Sequence, residues 1–145
     1  MISGTRLAFF ASVSFGALAV PQMAIPARPP LKCDDPQTQL EINLCAATDA
    51  KKADAELNKQ WTTTAAIMHA QDKAGYVPRD GRPGYYAALL DAQRAWIKFR
   101  DLQCRSEGYA MRGGSAEPMM ISGCIAEMTR TRVKQLKDMA ANYQR

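Results

Sequence analysis

The chain has 145 residues, 47% of them hydrophobic, and 19 Lys and Arg against 14 Asp and Glu give it a formal charge of +5. That is about one domain of chain, and its mild basicity includes no run of five like charges, which argues against the cationic stripe of a nucleic-acid binder. His69 is the only imidazole, and there is no phosphate-binding glycine loop, haem C-x-x-C-H or dinucleotide fingerprint, so neither an enzyme nor a cofactor is expected.

At the N-terminus, Arg6 precedes a mostly apolar run over residues 7–20. The run is short for a bilayer span and has the form of a secretory signal peptide. Ala17 with Ala19, or later Ala24 and Ala27, offer small-residue cleavage sites. Residues 1–24 are therefore expected to be a signal peptide and residues 25–32, rich in Pro and Ala, an extended tether. A helical domain over residues 33–145 follows, periplasmic or secreted, with no membrane span in the mature chain. Cys33 follows Pro30, Leu31 and Lys32 rather than a lipobox, so lipidation is not expected.

The domain holds four cysteines, Cys33, Cys45, Cys104 and Cys124. An even count in a small exported domain reads as two disulfides, for which three connectivities exist. No C-x-x-C pair occurs and His69 is distant from every cysteine in sequence, so no metal site is expected.

The first helix is announced by Thr38-Gln39-Leu40-Glu41, a capping box behind the turn-like Asp34-Asp35-Pro36. From a start at Thr38, Cys45 lies about 10 Å along the axis, within reach of a chain folding back from Cys33. A bridge between Cys33 and Cys45 would staple the N-terminal arm to this helix. Leu40, Leu44, Ala47, Ala50, Ala53 or Asp54, Leu57, Trp61, Thr64 and Met68 then keep a helical stripe. It fades over residues 68–73, and residues 75–84, with three glycines and two prolines, form a loop whose cations are Arg79 and Arg82.

The second helix is expected from about Tyr85 to Ser106. Tyr86, Leu89, Leu90, Gln93, Trp96, Ile97 and Arg100 share a face, and Trp96 is the expected anchor around which two other helices pack. Gly108, Gly113 and Gly114 are expected to end it and open a second loop, with Ser115 placed to cap the third helix. The third stripe runs through Met120 or Ile121, Cys124, Ile125, Met128, Arg132, Leu136, Met139 or Ala140, and Tyr143. Cys104 and Cys124 fall at the closed end of this helical hairpin. A bridge there closes a loop of about 20 residues, a stabilisation of about 3 kcal/mol. With no period-two alternation of useful length, the fold class is all-α, a three-helix antiparallel bundle stapled by two disulfides. Methionines at helical spacing, including Met119, Met120 and Met128, read as core rather than as copper ligands.

Two polar sets stand out. Glu41 and Asn43 on the first helix, with Arg100 and Asp101 on the second, are placed for an inter-helix hydrogen-bond network. Arg112-Gly113-Gly114-Ser115 is a glycine-hinged loop whose backbone can approach a partner closely while Arg and Ser reach outward.

The spacing C33-x5-Q39-x-E41-x-N43-x-C45, with A53-D54-A55-E56-L57-N58, A92-Q93-R94-A95-W96-I97-x-F99-R100-D101-x-x-C104, G113-G114-S115, C124 and T129-x-x-R132, resembles the LprI-like family of exported bacterial proteins. The resemblance covers nearly the whole mature chain and implies a helical, two-disulfide envelope domain, named for a member that inhibits lysozyme. This chain departs from it in lacking the lipobox of lipoprotein members and in its enlarged first loop. The implied function is inhibition of a lysozyme-type glycoside hydrolase by insertion of a loop into its carboxylate-lined cleft. Arg112, Gly113, Gly114 and Ser115, or Arg79 and Arg82, are the candidate inserting residues. The alternative is an envelope interaction module that binds a protein or anionic cell-wall polymer without blocking an enzyme.

Overall fold

The computed structural model describes residues 31–75 and 80–144. The expected signal peptide, most of the tether and Arg79 lie outside the described residues. Among the described residues three helices carry the fold, α1 (Gln39–Lys73), α2 (Tyr85–Gly108) and α3 (Glu117–Asn142), with a 3-10 turn, Tyr109–Met111, after α2. Both expected disulfides are present, Cys33–Cys45 and Cys104–Cys124. Among the described residues there is no strand, and no helix is long and apolar enough to cross a membrane.

The start of α1 is as expected. Thr38 Oγ accepts from the Glu41 amide at 3.2 Å, and Glu41 Oε2 accepts from the Thr38 and Gln37 amides at 3.0 and 2.8 Å. These bonds satisfy amide groups that a helix start leaves without intrahelical partners. They also hold the Glu41 carboxyl below its ordinary range, the Gln37 amide contributing most and the Thr38 amide next.

The chain runs up through α1, down α2 and up again through α3, so α1 and α3 are parallel. Their contact, rather than either contact of α2, is the most extensive in the molecule. Three hydrogen bonds with the same sequence offset of 72 fix its register: Asn43 Nδ2 to the Ser115 carbonyl, Thr64 Oγ to the Leu136 carbonyl, and Gln71 Nε2 to the Tyr143 carbonyl. Thr64 and Leu136 are wholly buried. The core around them joins Leu57 and Met68 of α1, Leu89 of α2, and Val133 and Leu136 of α3. A second seam of small residues, Ala50 and Ala53 against Ala126, lets α1 and α3 approach closely lower down.

Trp96 is therefore not the buried hub that its size suggested. It packs against the core cluster from a half-buried position, as does Trp61. α2 packs on the edge of the more extensive α1–α3 contact, and a large ring at that edge can stay half in water. His69 is exposed and stacks on Tyr86 with centroids 3.7 Å apart.

Two helix ends differ from expectation. Gly108 is the last residue of α2, but it keeps ordinary helical dihedrals (φ −60°, ψ −24°) and the chain passes into the 3-10 turn before the loop opens. Its missing side chain serves packing instead: a Cβ there would lie 2.4 Å from Ile121 Cγ1. Nor does Ser115 cap α3. The N-cap is Ala116, which has no side chain able to accept a hydrogen bond, while the Ser115 carbonyl is used by Asn43. α2 is capped from a distance. Gly84 offers no side chain, and Asp72 at the end of α1 accepts from the Tyr85 and Tyr86 amides at 2.7 and 3.1 Å.

Candidate functional site

The up-down-up path gathers the start of α1, the end of α2 and the start of α3 at one end of the bundle. Both disulfides and the 112–115 loop are there. Residues 109–115 are exposed throughout, yet the loop is braced on every side. Gly113 has φ 76°, a left-handed conformation that favours glycine. Its amide donates to Glu117 Oε2 at 2.8 Å, and the Gly114 amide donates to the Met111 carbonyl at 2.9 Å. The guanidinium of Arg112 lies 4.6 Å from the Tyr109 ring centroid, a cation–π contact that orders a long side chain at the surface. Asn43 ties the far side of the loop to α1 through the Ser115 carbonyl.

Exposed apolar side chains surround this end: Tyr109 and Met111 in the turn, Leu40 in the first turn of α1 and Met120 in that of α3. An exposed cation on an aromatic ring, flanked by apolar groups, has the makeup of a binding surface.

Arg82 sits at the opposite end, about 36 Å away along the 24 residues of α2. It is exposed and already paired with Asp80, whose carboxyl is held below its ordinary range by hydrogen bonds from the Arg82 side chain and amide. The residues proposed for insertion thus belong to two separate tips. The 112–115 tip is tied by hydrogen bonds to both α1 and α3.

The expected network of Glu41, Asn43, Arg100 and Asp101 does not form as one unit. Glu41 is used by the α1 cap and Asn43 by the loop. Arg100 instead donates to Asp54 Oδ1 at 2.7 Å, to Thr129 Oγ at 2.9 Å and to its neighbour Asp101 at 3.0 Å, with its guanidinium 5.2 Å from the Trp96 centroid. The reason is register. With α1 and α2 antiparallel, Arg100 comes level with Asp54, and Glu41 and Asn43 come level with the 3-10 turn and loop. Next to this cluster, Arg132 donates to Gln93 Oε1 at 2.9 Å and lies 5.7 Å from the same Trp96 ring. Partial burial lowers the Arg132 pKa, though the side chain remains a cation at neutral pH.

Seven of the residues that carry the family resemblance, Asp54, Gln93, Trp96, Arg100, Asp101, Thr129 and Arg132, thus meet as one cluster joining α1, α2 and α3. Each of the three guanidinium nitrogens of Arg100 is hydrogen-bonded or ion-paired within the protein. This cluster aligns the helices. Sequence patterning missed Asp54 as its α1 partner because Ala53 and Asp54 were equivalent choices for one stripe position. Among the described residues, no three His, Cys, Asp or Glu side chains group to hold a metal ion.

The family model described as lysozyme inhibitor LprI matches residues 33–136. These bounds run from the first disulfide cysteine to Leu136, one of the wholly buried core residues. An uncharacterized protein of Rhizobium meliloti (strain 1021) is 45% identical over 112 residues, covering 77% of this chain and 81% of the relative. No solved structure matches the chain. With its two disulfides, its three helices and a match over most of its length, the chain belongs to the lysozyme inhibitor LprI family.

Proposed function

We propose that the protein is an exported, non-enzymatic inhibitor of a lysozyme-type glycoside hydrolase, with residues 1–24 as its signal peptide and residues 112–115 as the segment that enters the enzyme's cleft. The observation that carries this reading is the braced, exposed loop. Glycosidase clefts hold a pair of carboxyl groups flanking the scissile bond, and a guanidinium is their geometric complement. Arg112 supplies that group and Ser115 a hydroxyl beside it. The hydrogen bonds of Gly113, Gly114 and Ser115 fix the loop before binding, which reduces the ordering cost of association. Two disulfides suit the oxidising compartment in which such an enzyme would be met.

The test is lysis of a peptidoglycan suspension by lysozyme with the purified protein at about micromolar concentration, at low and moderate salt. Inhibition is expected at moderate salt. Arg112→Ala with Ser115→Ala weakens it at least about tenfold, while Arg82→Ala, at the far end, leaves it unchanged. Lysis at the uninhibited rate at both salts overturns the proposal.

The net charge of +5, about +4 once Arg6 leaves with the signal peptide, favours the second reading, an envelope module on an anionic cell-wall polymer or acidic protein, because a basic lysozyme would be repelled at long range. Salt separates the two. Polymer binding weakens as salt rises, whereas inhibition of a basic enzyme holds or improves once repulsion is screened.

A further inference from the structure

α2 carries a second apolar seam that the bundle does not use. Ala88, Ala92, Ala95, Phe99 and Leu102 follow one another at spacings of four, three, four and three, the repeat of a coiled-coil stripe, and all five are exposed. Phe99 is 56% and Leu102 51% exposed, on the side of α2 turned away from the core face of Leu89, Gln93, Arg100 and Cys104. Large apolar groups repeated in register on a solvent face mark an interaction surface.

The two halves of this seam differ in shape. The C-terminal half bears the projecting side chains. The N-terminal half bears only alanines, and beside Ala88 and Ala92 a cavity of about 460 Å³ opens, with Met68 and Leu89 buried in it and Met139 and Tyr143 of α3 on its wall. One helix therefore offers knobs at one end and a hollow at the other. A two-fold axis that sets two such helices antiparallel puts each pair of knobs over the other copy's hollow, the self-complementarity an isologous dimer needs.

Charge fixes the register. Asp91 and Lys98 flank the seam on one side, seven residues apart. When Phe99 of one copy lies over Ala88 of the second, Ala92 faces Ala95 and Asp91 of each copy falls beside Lys98 of the other, giving two opposite-charge pairs about the axis. A parallel pairing sets Phe99 on Phe99, leaves both hollows empty and brings no opposite charges together. The other flank of the seam, at Leu89 and Trp96, is taken up by the bundle itself. This leaves the Asp91 and Lys98 side to choose the partner's orientation.

We infer that the protein forms an antiparallel two-fold homodimer through the outer face of α2, with Phe99 and Leu102 of each copy seated in the cavity mouth beside Ala88 and Ala92 of the other. The dimer presents its two 112–115 loops at opposite poles. This inference does not depend on what those loops bind.

The experiment is sedimentation of the disulfide-bonded protein from about 1 to about 500 µM. The mass is expected to rise from one chain toward two. Phe99→Glu weakens dimerisation at least about tenfold, and Ala92→Arg, which blocks the hollow, does the same. Asp91→Lys alone also weakens it, and Asp91→Lys with Lys98→Asp restores it. All four positions are exposed, so unchanged far-UV circular dichroism checks that each variant is folded. A monomer at every concentration overturns the inference. So does a dimer indifferent to Phe99→Glu and Ala92→Arg, or one that the charge exchange fails to restore.

Discussion

Arg100 shows how much one side chain determines here. Its guanidinium bridges Asp54 of α1, Thr129 of α3 and Asp101 of its own helix across a buried position, and its planar fork supplies donors in all three directions at once. Arg100→Ala is expected to lower unfolding stability by about 2 kcal/mol, below the usual cost of breaking a buried pair because Asp54 and Asp101 are half exposed and rehydrate. Arg100→Lys keeps the charge but reaches fewer partners, and about 1 kcal/mol is expected. Urea denaturation reads both as a lower midpoint at unchanged slope. Glu41 gives a prediction in pH. Its folded pKa is held below the ordinary 4.5 by the Gln37 and Thr38 amides, so its contribution is complete above that pH and is lost as the pH falls through the lowered folded value. Glu41→Gln should flatten the decline of melting temperature below pH 4.5, and an acid limb as steep as that of the parent chain would contradict this.

At the scale of elements, two glycines with the same backbone cost have opposite roles. Gly108 of α2 packs directly against Ile121 of α3, and a Cβ there meets Ile121 Cγ1 at 2.4 Å. A β-branched residue has few rotamers to yield into. Gly108→Ala is therefore expected to destabilise by about 1–2 kcal/mol, the overpacking cost less the gain in helix propensity. Gly123, inside α3 and exposed, has nothing within 4 Å of an added Cβ. Gly123→Ala should stabilise by about 0.5–1 kcal/mol. Thermal melts of the two variants, shifting in opposite directions, test this reading of the α2–α3 contact. The helices themselves were legible, because a 3.6-residue apolar period persists through each and Thr38-x-x-Glu41 states the start of α1 locally. The start of α2 at Tyr85 was legible as well, from the Gly- and Pro-rich loop before it, but its cap was not, because the capping group is Asp72, thirteen residues upstream.

For the molecule as a whole, the two disulfides have different jobs although both brace the loop end. Cys104 is wholly buried, with Met128 Sδ 3.6 Å from its sulfur, and its bond holds α2 to α3 just below the loop. Replacing Cys104 and Cys124 together with Ser should cost about 3 kcal/mol and weaken whatever binding the 112–115 loop supports. Cys33 lies on an exposed arm. Without the Cys33–Cys45 bond that arm frays locally while the core persists, so Cys33→Ser with Cys45→Ser should cost about 1 kcal/mol. Denaturation of the two double variants side by side checks the ranking, and equal losses would show that the arm belongs to the cooperative unit.

The sequence by itself determined the elements of this protein. Period and capping are local properties, and a cysteine's reach along a helix or across a short hairpin is fixed by nearby chain, so the helices and both disulfides could be read from it. It also singled out the 112–115 loop, since glycines beside an Arg and a Ser describe a bend wherever it is placed. Which helices pair most closely was decided only in three dimensions. The parallel α1–α3 seam joins residues 72 apart, and no local pattern encodes a register between segments so distant. The way α2 then pairs with that seam sends Arg100 to Asp54 instead of Glu41 and leaves Trp96 at an edge, whereas the Arg82 and Arg112 tips are held apart by the length of α2 itself.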